Sequence, residues 1–196
     1  MKNYKISIAI SILVIMFIVS CNPKKQKVTE AGKVTDTITY LKQGDTITNR
    51  VQTLLLTNVM QAMKEGGPGN AVTFCNIHAI TLTDSLSSEY NCLIQRVSDK
   101  YRNPANIPTV KDLEILAAMS SANDMKPLVV ADDGQIVYYR PIKIAMPACL
   151  KCHGSAGEDI DTKTLEIIRQ KYPRDLATGY KEGDLRGLWK ITFLED

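Results

Sequence analysis

Cys149-Leu150-Lys151-Cys152-His153 constrains this chain more than any other stretch. Two thiols separated by two residues and followed at once by an imidazole have the spacing that attaches a c-type haem. Each sulfur can add to one vinyl group, with the imidazole left to ligate the iron. The same thiol pair also suits a disulfide or half of a zinc site. Structural zinc takes four Cys or His ligands, and the body of the chain offers Cys75, His78 and Cys92 besides, without a second close-spaced pair. His78 and His153 are the two histidines present, so the choice rests on compartment and on the upstream sequence.

Residues 1–20 read as an export signal. Lys2 and Lys5 precede an almost wholly apolar run over residues 6–20, which is shorter than the roughly 20 residues of a membrane span. Ile18-Val19-Ser20-Cys21 resembles the lipobox of bacterial lipoproteins, in which the cysteine carries lipid and begins the mature chain. An uncleaved signal anchor would use the same run. Both arrangements put the body outside the cytoplasm, tethered in the cell envelope and facing the periplasm or the exterior. Several acyl chains on Cys21 would hold it stably where one would not. That compartment also permits haem attachment, as well as a disulfide between Cys75 and Cys92. The other reading of Cys92 is a small core residue at the start of a strand.

Loss of Lys2 and Lys5 lowers the formal charge from +3 to +1. A near-neutral body carries no electrostatic footprint for nucleic acid, and its length suits one domain with a single core. Residues 21–44 are polar, with Lys24, Lys25 and Lys27 grouped near the membrane end, and read as a tether to a domain spanning 45–196.

Within that domain, apolar residues at helical spacing predict a helix over 45–65. Gly66 and Gly67 end it, Pro68 and Gly69 turn, and Asn70 caps a second helix over 71–89. Cys75 and His78 fall on nearly the same side of that helix. Residues 92–98 alternate as a strand. Pro104 and Pro108 keep the next stretch irregular, and Thr109 caps a short helix bearing Leu113, Leu116 and Met119. Asp132-Asp133-Gly134 predicts a tight hairpin between strands over 127–131 and 135–144. The thiol pair then sits on a loop after Pro147, followed by a helix over 161–170 and a last strand over 188–193. This order predicts an α+β domain with an antiparallel sheet.

Three stretches together resemble one bacterial family of c-type haem-binding, PAS-like domains. They are Arg102-Asn103-Pro104-Ala105-Asn106, the motif from Cys149 to Gly154, and Tyr172-Pro173-Arg174-Asp175-Leu176-Ala177-Thr178-Gly179-Tyr180. The resemblance covers residues 52–193. It implies a PAS-like antiparallel sheet with two N-terminal helices, one haem c on Cys149 and Cys152, and His153 as one axial ligand. Such domains occur as free-standing exported proteins and as sensor modules. The helical stretch 67–75 is similar to the family's ligand-bearing helix, which implies Cys75 as the second axial ligand. Residue chemistry alone favours His78, so His78 stands as the alternative, with Met119, Met125 and Met146 behind it. Arg102, Arg140 and Arg186 are candidates to hold the propionates.

A thiolate ligand implies a low reduction potential. The function expected is redox or small-ligand sensing through a protein partner, with a monohaem electron carrier as the alternative. An enzyme is not expected, since a peroxidase needs an acid/base group for which His78 is the sole histidine left.

Overall fold

The structure is a computed structural model and describes residues 30–122 and 125–194. Its first element, α1 (Glu30–Glu89), is one long helix broken at Gly66 and Gly67, where Gly67 takes φ 76° and leaves helical geometry. Glycine tolerates that angle without a Cβ penalty, and Pro68 can open the second arm because the first turn needs no N–H from it. Asn70, expected to cap the second arm, instead donates from Nδ2 to the Ala62 carbonyl at 2.9 Å and closes the end of the first.

The first arm begins well before residue 45. Residues 30–44, expected as tether, are helical, and Leu41 packs against the core. Gly44 lies so close to the Tyr138 ring that a Cβ would overlap it, so the domain boundary moves toward the N-terminus. The stretch has few apolar residues, which is why periodicity does not mark it. The proposed signal, Cys21 and the polar residues up to 29 lie outside the described residues. Among those described, no helix is long and apolar enough to cross a membrane.

The sheet has four strands, β1 (Cys92–Val97), β2 (Leu128–Asp132), β3 (Gln135–Lys143) and β4 (Leu185–Phe193), in the order β1-β4-β3-β2 and antiparallel throughout. The α+β class with an antiparallel sheet is as the sequence predicts. Asp132 pairs with Gln135, and Asp133 and Gly134 form the turn with φ 47° and 80°, the two positive values that a two-residue hairpin of matching twist requires. A 3₁₀ turn, Pro104–Asn106, interrupts the loop after β1. Then come α2 (Val110–Ser121), α3 (Pro147–His153) and α4 (Thr162–Lys171).

Both faces of the sheet are covered, because successive strand residues point to opposite sides. Tyr138, Trp189, Ile191 and Ile94 face α1 and pack with Ile47, Val51, Leu55, Ala79 and Leu86. Tyr139, Leu188, Val137 and Val97 face α2 and pack with Leu116 and Met119. Met119 is thereby placed on the opposite side of the sheet from α1.

Asp112 pins α2 to the sheet. It completes the capping box with Thr109 and, though buried, accepts from the Tyr139 hydroxyl at 2.6 Å and pairs with Lys190 at 2.9 Å. Burial pushes its pKa up, but the bonds from Tyr139, Lys190 and Thr109 outweigh burial and hold the carboxyl below its usual range. This contribution is present above the unfolded pKa of about 3.9 and is lost as pH falls through the lower folded value. Asp112→Ala strands Lys190 as an unpaired buried charge and is expected to cost about 3–5 kcal/mol, checked by urea denaturation at neutral pH.

Candidate functional site

The thiol pair lies on a helix rather than on the expected loop. Pro147 opens α3, which carries Cys149, Cys152 and His153 within two turns. The prolyl ring fixes the first helical φ, and the Gly154 N–H closes the end on the Leu150 carbonyl at 2.8 Å. A side chain at Gly154 would place its Cβ 2.5 Å from Asp159, so the chain can leave α3 in this direction only with glycine there. Cys152 packs with Val72, Ile160, Ile168 and Tyr172, while Cys149 and Leu150 pack with Ile144, Ala177 and Tyr180.

Beside α3 is a cavity of about 570 Å³, within the roughly 300–1,000 Å³ of small-molecule and cofactor sites. Cys75, Cys149, Cys152 and His153 all line it. The first arm of α1 supplies Leu55, Leu56, Met60 and Met63, the second Val72, Cys75 and Ala79, and the sheet supplies Arg96, Ile142 and Trp189. Met125 and Met146 line it as well, whereas Met119, on the far side of the sheet, does not.

His78 does not reach this cavity. It is exposed, with its ring 5.0 Å from that of Phe74. At about 100° per residue it is turned roughly 60° from Cys75, on the side away from Ala79. The alternative ligand is therefore corrected: Cys75 faces the site and His78 faces outward. Cys75 and Cys92 are both free, with Cys92 buried in the core at the start of β1. Cys75, Cys149, Cys152 and His153 share the cavity, but among the described residues no three His, Cys, Asp or Glu side chains stand close enough together to hold a metal ion by themselves.

His153 has a defined tautomer. Its Nδ1 lies 2.9 Å from the Ala177 carbonyl, and since a carbonyl can only accept, Nδ1 bears the proton and Nε2 is left as a ligand atom. Burial, then the positive charges of Arg186 and Arg102, hold the imidazole well below its usual pKa despite that hydrogen bond. Burial pushes the Cys75 thiol up, against the pull of Arg96 and Arg102. It also pushes Cys152 up to about 11.

The three expected propionate residues all line the cavity but differ in their commitments. Arg102 is bound from Nε to Asp175 at 2.9 Å and from Nη2 to the Cys152 and Ala177 carbonyls at 2.6 and 3.2 Å, so it ties three segments together and is largely consumed. Arg140 donates to Asn49 at 2.6 Å and Thr48 at 3.1 Å. Arg186 donates from Nη1 to Ser98 and the Lys100 carbonyl, yet its Nε is buried without a partner. Burial draws its pKa down to about 10.

Sequence reasoning missed Arg96, which also lines the cavity, has no carboxylate partner among the described residues, and is depressed by burial. Its place at an inward position of β1 is the only signal that marks it. Asp175 and Ala177 lie in the stretch from Tyr172 to Tyr180, but their partner Arg102 is 73 and 75 residues away in sequence.

These features define a class: an α+β domain with thiols, one oriented imidazole and buried guanidinium groups gathered on a single cavity. The chain belongs to the Tll0287-like family, which matches residues 23–193. Among solved structures it is similar to the crystal structure of the cyanobacterial heme-protein Tll0287. Identity is 24%, with 72% of this chain and 95% of that one covered and a TM-score of 0.54. No curated protein sequence matches it. The resemblance read from three stretches is borne out at the level of family and fold.

His153 gives a pH signature. Its folded pKa is depressed, so the unfolded chain binds a proton that the folded haem-free chain refuses. Stability is present above the unfolded value of about 6.5 and falls as pH drops below it. Denaturation midpoints of the haem-free protein should decline between pH 7 and 5, and His153→Gln should flatten that slope.

Proposed function

We propose that this chain is a monohaem c-type protein of the bacterial cell envelope that senses redox state or a small ligand. The observation that carries this reading is the convergence of Cys149, Cys152, His153 and Cys75 on one cavity. Two features of the lining fit the cofactor independently of the motif. The buried, unpartnered Nε of Arg186 and the half-buried Arg96, which has no carboxylate partner among the described residues, provide cationic donors for two propionates, and the remaining wall is mainly apolar, as a porphyrin face requires. Family membership and the description of the solved relative as a heme-protein also support haem binding.

In this reading Cys149 and Cys152 would hold the haem through thioethers, and His153, through Nε2, and Cys75 would ligate its iron. Bound there, haem would supply reversible one-electron chemistry, and a small molecule would reach its iron by displacing Cys75. Ala177 keeps the His153 ring oriented, and Leu55, Val72 and Trp189 give the cavity an apolar wall. A thiolate from Cys75 favours the ferric state and so sets a low potential. Lipid on Cys21 would hold the body at the membrane, and the signal would pass to a protein partner. The proposed role is binding and redox response rather than enzymatic turnover.

An electron carrier is the second reading. It is favoured by Met60 and Met146, which line the cavity and stay 44% and 38% exposed, apolar surface suited to brief docking. Uptake of CO or NO by the reduced protein supports sensing, whereas fast electron exchange without uptake supports the carrier.

Absorption and EPR spectra of the mature protein test the site. A Soret band that stays with the denatured chain, and low-spin ferric signals of thiolate character, are expected. Cys75→Ala should abolish the thiolate signals and raise the potential, and His78→Ala should leave both oxidation states unchanged. Purified protein with bound zinc and no Soret band would overturn the reading. Cys21→Ser should release the chain from membranes, checked by fractionation.

A further inference from the structure

We propose that Arg102 and Asp175 act as a pair of opposed positioning residues that set how strongly His153 donates to its metal. The inference rests on the haem reading above and concerns this chain's own hydrogen bonds.

The Ala177 carbonyl is the shared point. It accepts the His153 Nδ1 proton at 2.9 Å and the Arg102 Nη2 proton at 3.2 Å. A carbonyl oxygen has two lone pairs, so it can serve both. A histidine that donates its second nitrogen to an acceptor becomes a more basic ligand, and the partner's acceptor strength sets by how much. A guanidinium on the same oxygen draws electron density toward itself and makes that oxygen a weaker acceptor. Arg102 therefore restrains the imidazole from taking on imidazolate character.

Asp175 opposes it. Its Oδ1 accepts from Arg102 Nε at 2.9 Å and from the Ala177 N–H at 3.1 Å, and its Oδ2 accepts from Nη2 at 3.3 Å. Both backbone groups of Ala177 are thus held by the same ion pair. Ala177 is fully buried, and the two charged side chains are 10% and 9% exposed, so water neither replaces these bonds nor screens the charges as it would at the surface.

The two charges predict shifts of opposite sign. Removing Arg102 strengthens the His153 bond and removes a positive charge, which stabilises the oxidised iron and lowers the potential. Removing the charge of Asp175 leaves the guanidinium uncompensated and raises it. A purely structural tie predicts otherwise, since loosening the loop from either side admits water in the same way and moves both variants in one direction.

The test compares Arg102→Gln, Asp175→Asn and the double variant with the unaltered full chain. Mass measurement of the denatured proteins first establishes covalent haem. Its absence from the unaltered chain would overturn the haem reading, and the proposal with it. In haem-loaded proteins, midpoint potentials are expected to fall for Arg102→Gln and rise for Asp175→Asn. Equal potentials, or shifts of the same sign, overturn the proposal while leaving the haem reading intact. The double variant strands no charge and serves if a single variant does not accumulate. Its His153 Nδ1 proton is expected to move downfield in NMR spectra of the reduced protein, and an unmoved proton overturns the proposal.

Discussion

A single buried guanidinium organises the functional end of this molecule. Arg102 leaves the loop after β1 and reaches three places at once: the carboxylate of Asp175, the carbonyl of Cys152 at the end of α3, and the carbonyl of Ala177. Backbone bonds follow the same lines, from Leu176 to Tyr101, Gly179 to Gly154 and Tyr180 to His153. Segments far apart in sequence are thereby fixed around α3. Breaking one partner of such a pair leaves the other charged and buried, which is why the arrangement is costly to disturb.

The rest of the fold supplies walls. The sheet presents Trp189 and Ile142 from one side, and the two arms of α1 supply the others. Tyr138 and Tyr139 are adjacent yet serve opposite layers, one bonded to Asp45 at 2.6 Å and the other to Asp112 at 2.6 Å. Each layer is tied to the sheet by its own tyrosine-to-aspartate bond. The α2 layer holds the back of the sheet, and the cysteines and His153 stand on the front.

Locally encoded features were legible in the sequence. The Gly66-Gly67 break, the Thr109 cap and the Asp133-Gly134 turn each follow from residues within a few positions of one another and appear where expected, whereas the thiol-imidazole motif, read as a loop, is carried by α3. Features that depend on distant partners were not legible. Residues 30–44 lack the apolar stripe that announces a helix and dock through Leu41 and Gly44 against residues such as Tyr138. Cys75 and His78 are separated by a modest rotation, too small for a helical projection alone to decide which faces the cavity. Arg102 looked like a cofactor contact because its carboxylate partner lies 73 residues away. Arg96 gave no signal beyond its inward place on β1, which is easily passed over because a charged residue on a strand ordinarily faces water.

The bend in α1 has a consequence beyond shaping a wall. Gly66 would carry its Cβ only 2.9 Å from that of Asn70, and the Asn70 amide reaches back across the break to Ala62. The elbow is therefore latched rather than free to swing. Because residues of both arms line the same cavity, a change at this one joint would be felt on two walls at once, so a break in the helix sets the shape of the site from a distance.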